Sequence, residues 1–174
     1  FLKTIKLKPK IELLDKTGVS RATQLSQKTN QFNFRTQRYN ESNILNLLDD
    51  KSNDIYMCSA KDVFGDYGQI ALAIIKRMRN KQAFLDTFLM SCRILGRDVE
   101  LWFLQSILNK LGNQSIDKLI IEYIPNERNI IINDFIERCK FKKITSSYDC
   151  KGLSGNIFEI NTNTKITNIR NLYE

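Results

Sequence analysis

The chain has 174 residues, of which 42% are hydrophobic and 26% are charged, a composition that suits one globular domain with its own core. It contains no histidine, which excludes Ser-His and Cys-His catalysis and disfavours zinc, and its four scattered cysteines predict no disulfide framework. The net charge of +8 favours an anionic partner, and no apolar run is long enough to span a membrane.

The beginning of the chain is typical of a piece of a longer protein. It starts at Phe1, without an initiator methionine and without the basic, apolar and small-residue pattern of a signal peptide. The cytoplasm is therefore the expected compartment.

Hydrophobic periodicity and turn residues predict a mixed sheet with helices on both faces, an α/β class with a mixed α+β sheet. Pro9 places the first strand at an edge, Ser20 offers an N-cap to the first helix, Gly65–Gly68 has the composition of a hairpin turn, and Gly112 ends the third helix. The predicted elements, in chain order, are a strand over 3–14, helices over 20–31 and 41–50, strands over 54–64, 68–78 and 83–91, a helix ending at 111, a strand over 118–124, a helix over 127–139, and strands near 141–148 and 155–161.

Four sequence blocks carry a resemblance to a known family. They are "RATQLSQKTNQFNFRTQRY" (21–39), "KDVFGDYG" (61–68), "DTFLMSCRILGRDVE" (86–100) and "YIPNERN" (123–129). In order and spacing they resemble the C-terminal region of FkbH-like proteins, over about residues 15–141, where a GNAT-like acyltransferase domain follows a domain of the haloacid-dehalogenase (HAD) superfamily. The resemblance implies a GNAT-like domain over 17–162, preceded by an edge strand or connection from the missing HAD domain over 1–16 and followed by a polar tail over 163–174.

The resemblance also implies a function. FkbH-like proteins are associated with moving a glyceryl or related small acyl unit from a phosphorylated three-carbon donor to the phosphopantetheine thiol of an acyl carrier protein, for polyketide extender units. It implies two partners, the carrier protein and the HAD domain, and no tightly bound cofactor, because phosphopantetheine or CoA acts as a substrate. The nucleophilic D-x-D motif of the HAD domain occurs nowhere in this chain, so phosphatase chemistry is not assigned to it.

The segment "RILGR" lies at a predicted strand-to-helix junction, where GNAT proteins bind a pyrophosphate. Free amides at a helix start hold an anion, Gly96 lets the chain approach it, and Arg93 and Arg97 add charged donors. Two acidic residues in the first helical turn, Asp98 and Glu100, oppose this interpretation, and a plain turn is the alternative. The predicted phosphopantetheine- or phosphate-binding residues are Arg93, Leu95, Gly96 and Arg97.

Cys92 precedes this loop and is the candidate nucleophile. A helix start and a neighbouring arginine favour a thiolate, and thioester exchange between two thiols needs little acid–base help. The hypothesis is that Cys92 accepts the acyl group and passes it to the carrier's pantetheine thiol. By strand alternation Cys92 shares a face with Asp86, Phe88 and Met90 if no bulge intervenes. The alternative is a buried packing residue, the usual fate of a free cysteine; Cys58, Cys139 and Cys150 match no motif and are interpreted as packing or surface residues.

The polar and aromatic segment over 28–39 is interpreted as a loop that binds the acyl group. Its amides suit hydroxyl and carbonyl groups, and its arginines suit a carboxylate or phosphate. The alternative is helix capping and amide-to-backbone bonding inside a packed loop. Nucleic-acid binding is disfavoured because no continuous basic groove is indicated. The candidate residues are Asn30, Gln31, Asn33, Arg35 and Arg38.

Two further motifs contribute candidate residues. Asp66, in "VFGDYG", could orient a donor or act as a base, with Asp62 nearby on the substrate side; both are also common turn residues. Arg128 and Asn129, at the predicted start of the last helix, could hold pantetheine amides or cap that helix. Ile136 stands where many GNAT enzymes have a proton-donating tyrosine.

Two other functions remain open from the sequence. The chain could be a non-catalytic module that docks a carrier protein or CoA for the HAD half. Less favoured is a CoA-dependent N-acyltransferase, because Ile136 has no proton to give to a leaving thiolate.

Overall fold

One mixed sheet organises the domain. The computed structural model describes residues 6–145, 153, 155–167 and 169. Its helices and strands, in chain order, are β1 Lys8–Leu13, a 3-10 turn Lys16–Gly18, α1 Val19–Lys28, β2 Phe32–Asn33, α2 Glu41–Asp49, β3 Asn53–Asp62, β4 Gly65–Arg77, β5 Gln82–Met90, α3 Val99–Asn113, β6 Lys118–Tyr123, α4 Ile131–Cys139, β7 Lys142–Ile144 and β8 Asn156–Asn161.

In the described part of the chain the strands lie in the order β1-β3-β4-β5-β6-β8-β7, with β2 added beside β5. Neighbours along this order are antiparallel except β5 and β6, which are parallel and joined through α3. Helices α1 and α2 pack on one face, around Leu72 and Leu89. Helices α3 and α4 pack on the other face, around Phe88 and Phe103. The prediction of a mixed sheet covered by helices on both faces is confirmed.

Lysines mark both outer strands of the described sheet. On β1, Lys8 and Lys10 are exposed on either side of Pro9, which has no amide proton to donate. On β7, Lys142 and Lys143 are exposed. The position of Pro9 at an edge agrees with its predicted role.

The first helix and the hairpin differ from the predictions in detail. Helix α1 begins at Val19 after the 3-10 turn, so its N-cap is Gly18 and not Ser20. The chain reverses at residues 63–64, because the Asp62 carboxylate accepts the amide protons of Phe64 and Gly65. Residues 65–68 belong to β4, and the pairing with β3 shifts register within them, because Ala60 pairs with Gly68 and Lys61 with Asp66.

The later boundaries also move. Helix α3 runs past Gly112 to Asn113. Helix α4 begins at Ile131, because the Asn126 side chain accepts the amide protons of Arg128 and Asn129 and holds a loop there. The strand predicted over 3–14 is Lys8–Leu13, and the one predicted over 141–148 is Lys142–Ile144; residues 1–5 and 146–150 lie outside the described residues.

No helix in the described part of the chain has both the length and the apolar character needed to cross a membrane.

Candidate functional site

The parallel strands β5 and β6 separate partway along their length. They pair from Gln82 with Lys118 to Leu85 with Ile121, and no further pair follows in the described structure. In sheets of this kind, ligands bind in the crevice at the carboxyl ends of parallel strands. The opening beyond Leu85 and Ile121 is therefore the first place to look for a site.

A short segment of the chain fills this opening. Phe32 pairs with Met90 and Asn33 with Leu89, on the edge of β5 that β4 leaves unpaired. The carbonyl of Phe34 accepts the amide proton of Ile124, just beyond β6, at 2.9 Å. Residues 32–34, called the wedge below, thus join the two separated strands.

Aromatic packing and two buried asparagines hold the wedge. The rings of Phe32 and Phe34 stand edge-on to Phe135, with centroids 4.9 and 5.9 Å away. Asn129, fully buried, donates to the carbonyls of Asn33 and Ile124, both at 3.0 Å. Asn33 donates to the Thr29 carbonyl and is 2% exposed.

The amides of Asn33 and Asn129 are therefore committed to backbone groups inside the fold. Their role in substrate binding stays a prediction, and the geometry favours the alternative of amide-to-backbone bonding in a packed loop.

A partly buried charge cluster lies where the strands separate. Asp86 and Glu122 each follow the last parallel pair, and Arg35 bridges them at 3.1 and 3.0 Å. The Asp86 carboxylate also accepts the Tyr39 hydroxyl at 2.6 Å and lies 3.2 Å from the Lys76 ammonium. These five residues are called the Arg35 cluster. The register shift between Ile74 and Ile75 takes Asp86 out of the strand alternation, so it does not share the face of Phe88 and Met90.

The cluster shifts two pKa values in opposite directions. Burial alone would raise the pKa of Asp86, but the hydrogen bond from Tyr39, the charges of Lys76 and Arg35, and the Thr87 hydroxyl outweigh it and lower that pKa. Burial and the Asp86 charge raise the pKa of Tyr39. Asp86 is therefore held as a carboxylate and Tyr39 as a neutral phenol, which makes Arg35 an internal counter-ion.

Cys92 is exposed in a pocket of about 390 Å³ between the end of α1 and the end of β5. This Cys92 pocket brings together four of the predicted residues, Asn30, Gln31, Cys92 and Arg93. Among the described residues its lining includes no carboxylate. Exposure contradicts the alternative that Cys92 is a buried packing residue. The full lining is Arg21, Gln24, Leu25, Lys28, Thr29, Asn30, Gln31, Met90, Ser91, Cys92 and Arg93.

The amides at the start of α3 face a carboxylate of the chain itself. Gly96 has φ +82°, and the backbone amides of Glu100 and Gly96 act on the Glu100 carboxylate, whose pKa they lower. Burial raises the pKa of Glu100, and its Oε2 has no hydrogen-bond partner within the described residues. Asp98 lies 3.2 Å from Arg138. An incoming phosphate would have to displace the carboxylate of Glu100.

The predicted residues Asp62 and Arg97 contact each other. The Arg97 guanidinium lies 3.1 Å from the Asp62 carboxylate and from the Tyr67 hydroxyl, over the Tyr67 ring. Burial alone would raise the pKa of Asp62. Its hydrogen bonds, the first of them from the Tyr67 hydroxyl, outweigh burial and lower that pKa. Leu95 is half-buried and packs against the core.

Asp66 lies apart from Cys92. Its carboxylate accepts the Gly68 amide proton at 2.8 Å, and it borders a different pocket together with Lys8, Lys10 and Lys61. A catalytic role for Asp66 stays a prediction that this placement does not favour, and the turn interpretation fits its contacts.

A second, shallow pocket shares Asn30 with the Cys92 pocket. It brings together three predicted residues, Asn30, Arg38 and Arg128. Arg38 donates to the carbonyls of Ser26 and Thr29 at 2.8 and 2.7 Å, so it gives hydrogen-bond partners to carbonyls at the end of α1. Arg128 is exposed and precedes α4.

The remaining side chains of interest are in the core. Ile136 is buried in α4 and offers no proton donor there. Cys58 and Cys139 are buried, and burial raises the pKa of each thiol to about 12, which makes them inert packing residues. Cys150 lies outside the described residues.

Sequence reasoning missed two sets of residues. Arg21 and Lys28 line the Cys92 pocket, and their spacing of seven places them on one helix face, a signal that was present. Glu122 interrupts an apolar strand, which also was a signal, although its partner Arg35 is 87 residues away.

Comparisons with known proteins bear on the fold. No protein-family model matches the chain, and no curated protein matches its sequence. Among solved structures, the chain is similar to the ribosomal-protein-S18-alanine N-acetyltransferase of Escherichia coli, with a TM-score of 0.66 at 14% identity, over 92% of this chain and 97% of that one. It is also similar to a GNAT-family acetyltransferase of Staphylococcus aureus, with a TM-score of 0.68 at 12% identity, over 88% and 99%.

A third similar structure is the PaiA N-acetyltransferase of Thermoplasma acidophilum in complex with coenzyme A, with a TM-score of 0.65 at 10% identity, over 88% of this chain and 99% of that one. The fold is therefore that of GNAT acetyltransferases, and the predicted GNAT-like fold is confirmed. The FkbH-like and HAD context stays a prediction.

Proposed function

We propose that this domain transfers a small acyl group to a phosphopantetheine thiol, with Cys92 as the intermediate carrier of the acyl group. The observation that carries the proposal is the exposed Cys92 thiol in a pocket whose charged residues, within the described part of the chain, are all basic. Glyceryl is the proposed acyl group, an acyl carrier protein the proposed acceptor, and a HAD domain of an FkbH-like protein the proposed neighbour, as the four sequence blocks imply.

The chemistry needs no histidine. The donor is an acyl phosphate, and Cys92 loses its thiol proton to water before it reacts. The Cys92 thiolate attacks the acyl carbon, a carbon–sulfur bond forms, and the bond from that carbon to the phosphate oxygen breaks as inorganic phosphate leaves with the electron pair. The carrier's pantetheine thiolate then attacks the Cys92 thioester and expels the Cys92 thiolate, which restores the starting state. Basic side chains beside the thiol stabilise the oxyanion that forms in each step.

The wedge restricts how an acceptor reaches Cys92. Because residues 32–34 already join β5 and β6, a pantetheine arm approaches over the surface of the Cys92 pocket, past Asn30 and Gln31. The net charge of +8 favours approach of an acidic carrier protein. The similarity in fold to an acetyltransferase that binds coenzyme A supports pantetheine as the substrate class.

The test is intact-mass analysis of the full-length protein with a phosphorylated glyceryl donor and holo carrier protein. We expect a covalent glyceryl adduct in the wild type and in Cys139→Ala, because Cys139 is buried, and none in Cys92→Ala. Transfer to the carrier should be lost together with the adduct. An adduct or transfer rate that is unchanged in Cys92→Ala would remove Cys92 from the mechanism.

Two observations favour a second candidate, a non-catalytic module that docks the carrier protein. The wedge fills the crevice between the parallel strands, and the Glu100 carboxylate faces the amides where a phosphate would bind. A docking module would bind holo carrier protein with equal affinity in the wild type and in Cys92→Ala, and turnover by the full-length protein would survive that substitution.

A further inference from the structure

Three cationic side chains, Arg21, Lys28 and Arg93, line the Cys92 pocket together. We infer that they form a binding site for a phosphate monoester beside the Cys92 thiol. The site differs from the amides at the start of α3, and two of its three cations come from α1. The inference deepens the proposed function and rests on it only in assigning the ligand's reactive end to Cys92.

The three charges are uncompensated within the described residues. None of them forms an ion pair there, although eight such pairs occur elsewhere in that part of the chain. Within the described residues the Arg93 side chain donates one hydrogen bond, a long one of 3.4 Å to the Tyr67 carbonyl. Like charges gathered without a carboxylate disfavour the unliganded state, and an anion between them relieves the repulsion.

Arg21 is held in place by neutral groups. Its Nε and Nη2 donate to the Gln69 carbonyl at 3.0 and 2.8 Å, and its Nη1 donates to the Gln24 side chain at 2.5 Å. These bonds fix the guanidinium without neutralising it. Burial, and then the nearby charge of Arg93, lower the pKa of Arg21, which agrees with two cations facing one space.

A phosphate monoester fits this arrangement better than a carboxylate. It carries up to two negative charges and three terminal oxygens, enough to accept from two guanidinium forks and one ammonium. The pocket volume of about 390 Å³ is in the range that holds a small molecule. The Asn30 and Gln31 side chains, also in the lining, offer amides to the uncharged part of the ligand.

The predicted phosphate site at the start of α3 already has a carboxylate of the chain beside it. At the start of α3 the Glu100 carboxylate lies against the amides of Gly96 and Glu100. A phosphate that enters there must displace a carboxylate, whereas one that enters between Arg21 and Arg93 meets no carboxylate among the described residues of the lining. The Arg21, Lys28 and Arg93 site is therefore the stronger one for a dianion.

Direct binding tests the inference and separates two sources of the phosphate. Calorimetric titration of the full-length protein compares the methyl ester of pantetheine 4′-phosphate, which has the phosphodiester of the carrier's arm, with pantetheine, and 3-phosphoglycerate, an unreactive monoester analogue of the acyl donor, with glycerate. Binding that requires the phosphate in the second pair assigns the site to the acyl donor, as inferred, whereas a requirement in the first pair alone would assign it to the carrier's phosphodiester and overturn a monoester site. If neither phosphate binds more tightly than its unphosphorylated partner, the inference is wrong.

Variants locate the binding. Lys28→Gln, at an exposed position in the last turn of α1, should weaken binding of the phosphate about tenfold, and Arg93→Gln tenfold or more, as expected for the loss of one charge-assisted contact. Lys143→Gln, an equally exposed lysine on β7, is the matched control and should bind as the wild type does. Equal affinities in Lys28→Gln, Arg93→Gln and Lys143→Gln would overturn the inference.

Alkylation of Cys92 gives a second readout that needs no acyl transfer. The rate with anionic iodoacetate, divided by the rate with neutral iodoacetamide, reports the local charge and is independent of how much of the thiol is ionised. We expect this ratio to fall several-fold in Lys28→Gln and Arg93→Gln, and 3-phosphoglycerate to lower it in the wild type. A ratio that is equal in all variants would contradict a basic site at Cys92, whereas loss of acyl transfer with binding intact would contradict only the proposed function.

Discussion

At the scale of single residues, Arg35 is expected to have a large effect on stability. Its guanidinium is the shared partner of two buried carboxylates, Asp86 and Glu122, whose side chains are 4% and 2% exposed. Without Arg35, Asp86 would keep the partly exposed Lys76 and the Tyr39 hydroxyl, but Glu122 would lose the cation beside it and keep the Gly155 amide. Removal of one member of a buried ion pair is strongly destabilising. We expect Arg35→Ala to lower the free energy of unfolding by about 3–5 kcal/mol.

Urea denaturation at neutral pH measures this effect. Arg79→Ala is the control, since Arg79 is exposed and has no ion pair among the described residues, and it should change stability by less than about 0.5 kcal/mol. An Arg35→Ala protein as stable as Arg79→Ala would show that the cluster contributes nothing.

Sequence reasoning identified residue types better than residue roles. Arg35 was predicted to hold a carboxylate or phosphate of the substrate, and that role stays a prediction. In the structure its partners are two carboxylates of the chain, 51 and 87 positions away, and no local pattern connects them. The place of Cys92 at the end of a strand was predicted from local information, whereas the pocket beside it, formed with α1, was not. Glu100 was recognised as unfavourable to a phosphate, while the direction of its carboxylate toward Gly96 required the coordinates.

Among the elements, the end of α4 contains backbone strain that a substitution can relieve. Lys140 follows the last helical residue with φ +58°, a left-handed conformation in which a side chain is disfavoured. We expect Lys140→Gly to stabilise the protein by about 1 kcal/mol, because glycine adopts this conformation without the steric clash. The midpoint of thermal or urea unfolding measures the gain.

Lys140→Ala is the control for this change. It removes the exposed charged side chain but keeps the Cβ atom, so it should bring no gain. If Lys140→Ala and Lys140→Gly stabilise the protein equally, the effect comes from the charge and not from the backbone.

Most elements were predictable because their signals are local. Short apolar runs and turn residues marked β3, β4 and β5, and a broad apolar face marked α3, with boundaries wrong by a few residues. Strand β2 was not predicted, since two residues have no period, and its pairing joins Phe32 to Met90 across 58 positions. The wedge is therefore a tertiary feature that the polar sequence around it concealed.

At the scale of the whole molecule, stability should fall at acid pH. The pKa of Asp86 is lowered in the folded state, so between the folded and unfolded values the unfolded chain binds more protons. The contribution of Asp86 is thus fully present above the unfolded pKa of about 4 and is lost as the pH falls through the lower folded pKa. Asp62, whose pKa is also lowered, acts in the same direction.

Urea unfolding between neutral pH and pH 3 tests this expectation. Asp86→Asn should show a shallower fall of the free energy of unfolding with decreasing pH than the wild type. Asp49→Asn, at an exposed aspartate of α2 without an ion pair in the described structure, should keep the slope of the wild type. Parallel curves for the wild type and Asp86→Asn would exclude Asp86 as a source of the acid sensitivity.

The lysines on the outer strands also affect edge-to-edge association between copies of the protein. Two copies that approached edge to edge through β1 would oppose Lys8 and Lys10 to the same residues of the other copy, and Pro9 would leave one rung of the new ladder without a donor. Copies meeting through β7 would oppose Lys142 and Lys143 in the same way. Extension of the sheet into a fibre is therefore hindered by repulsion at both margins, and concentrated salt, which screens that repulsion, is the condition that weakens this protection most.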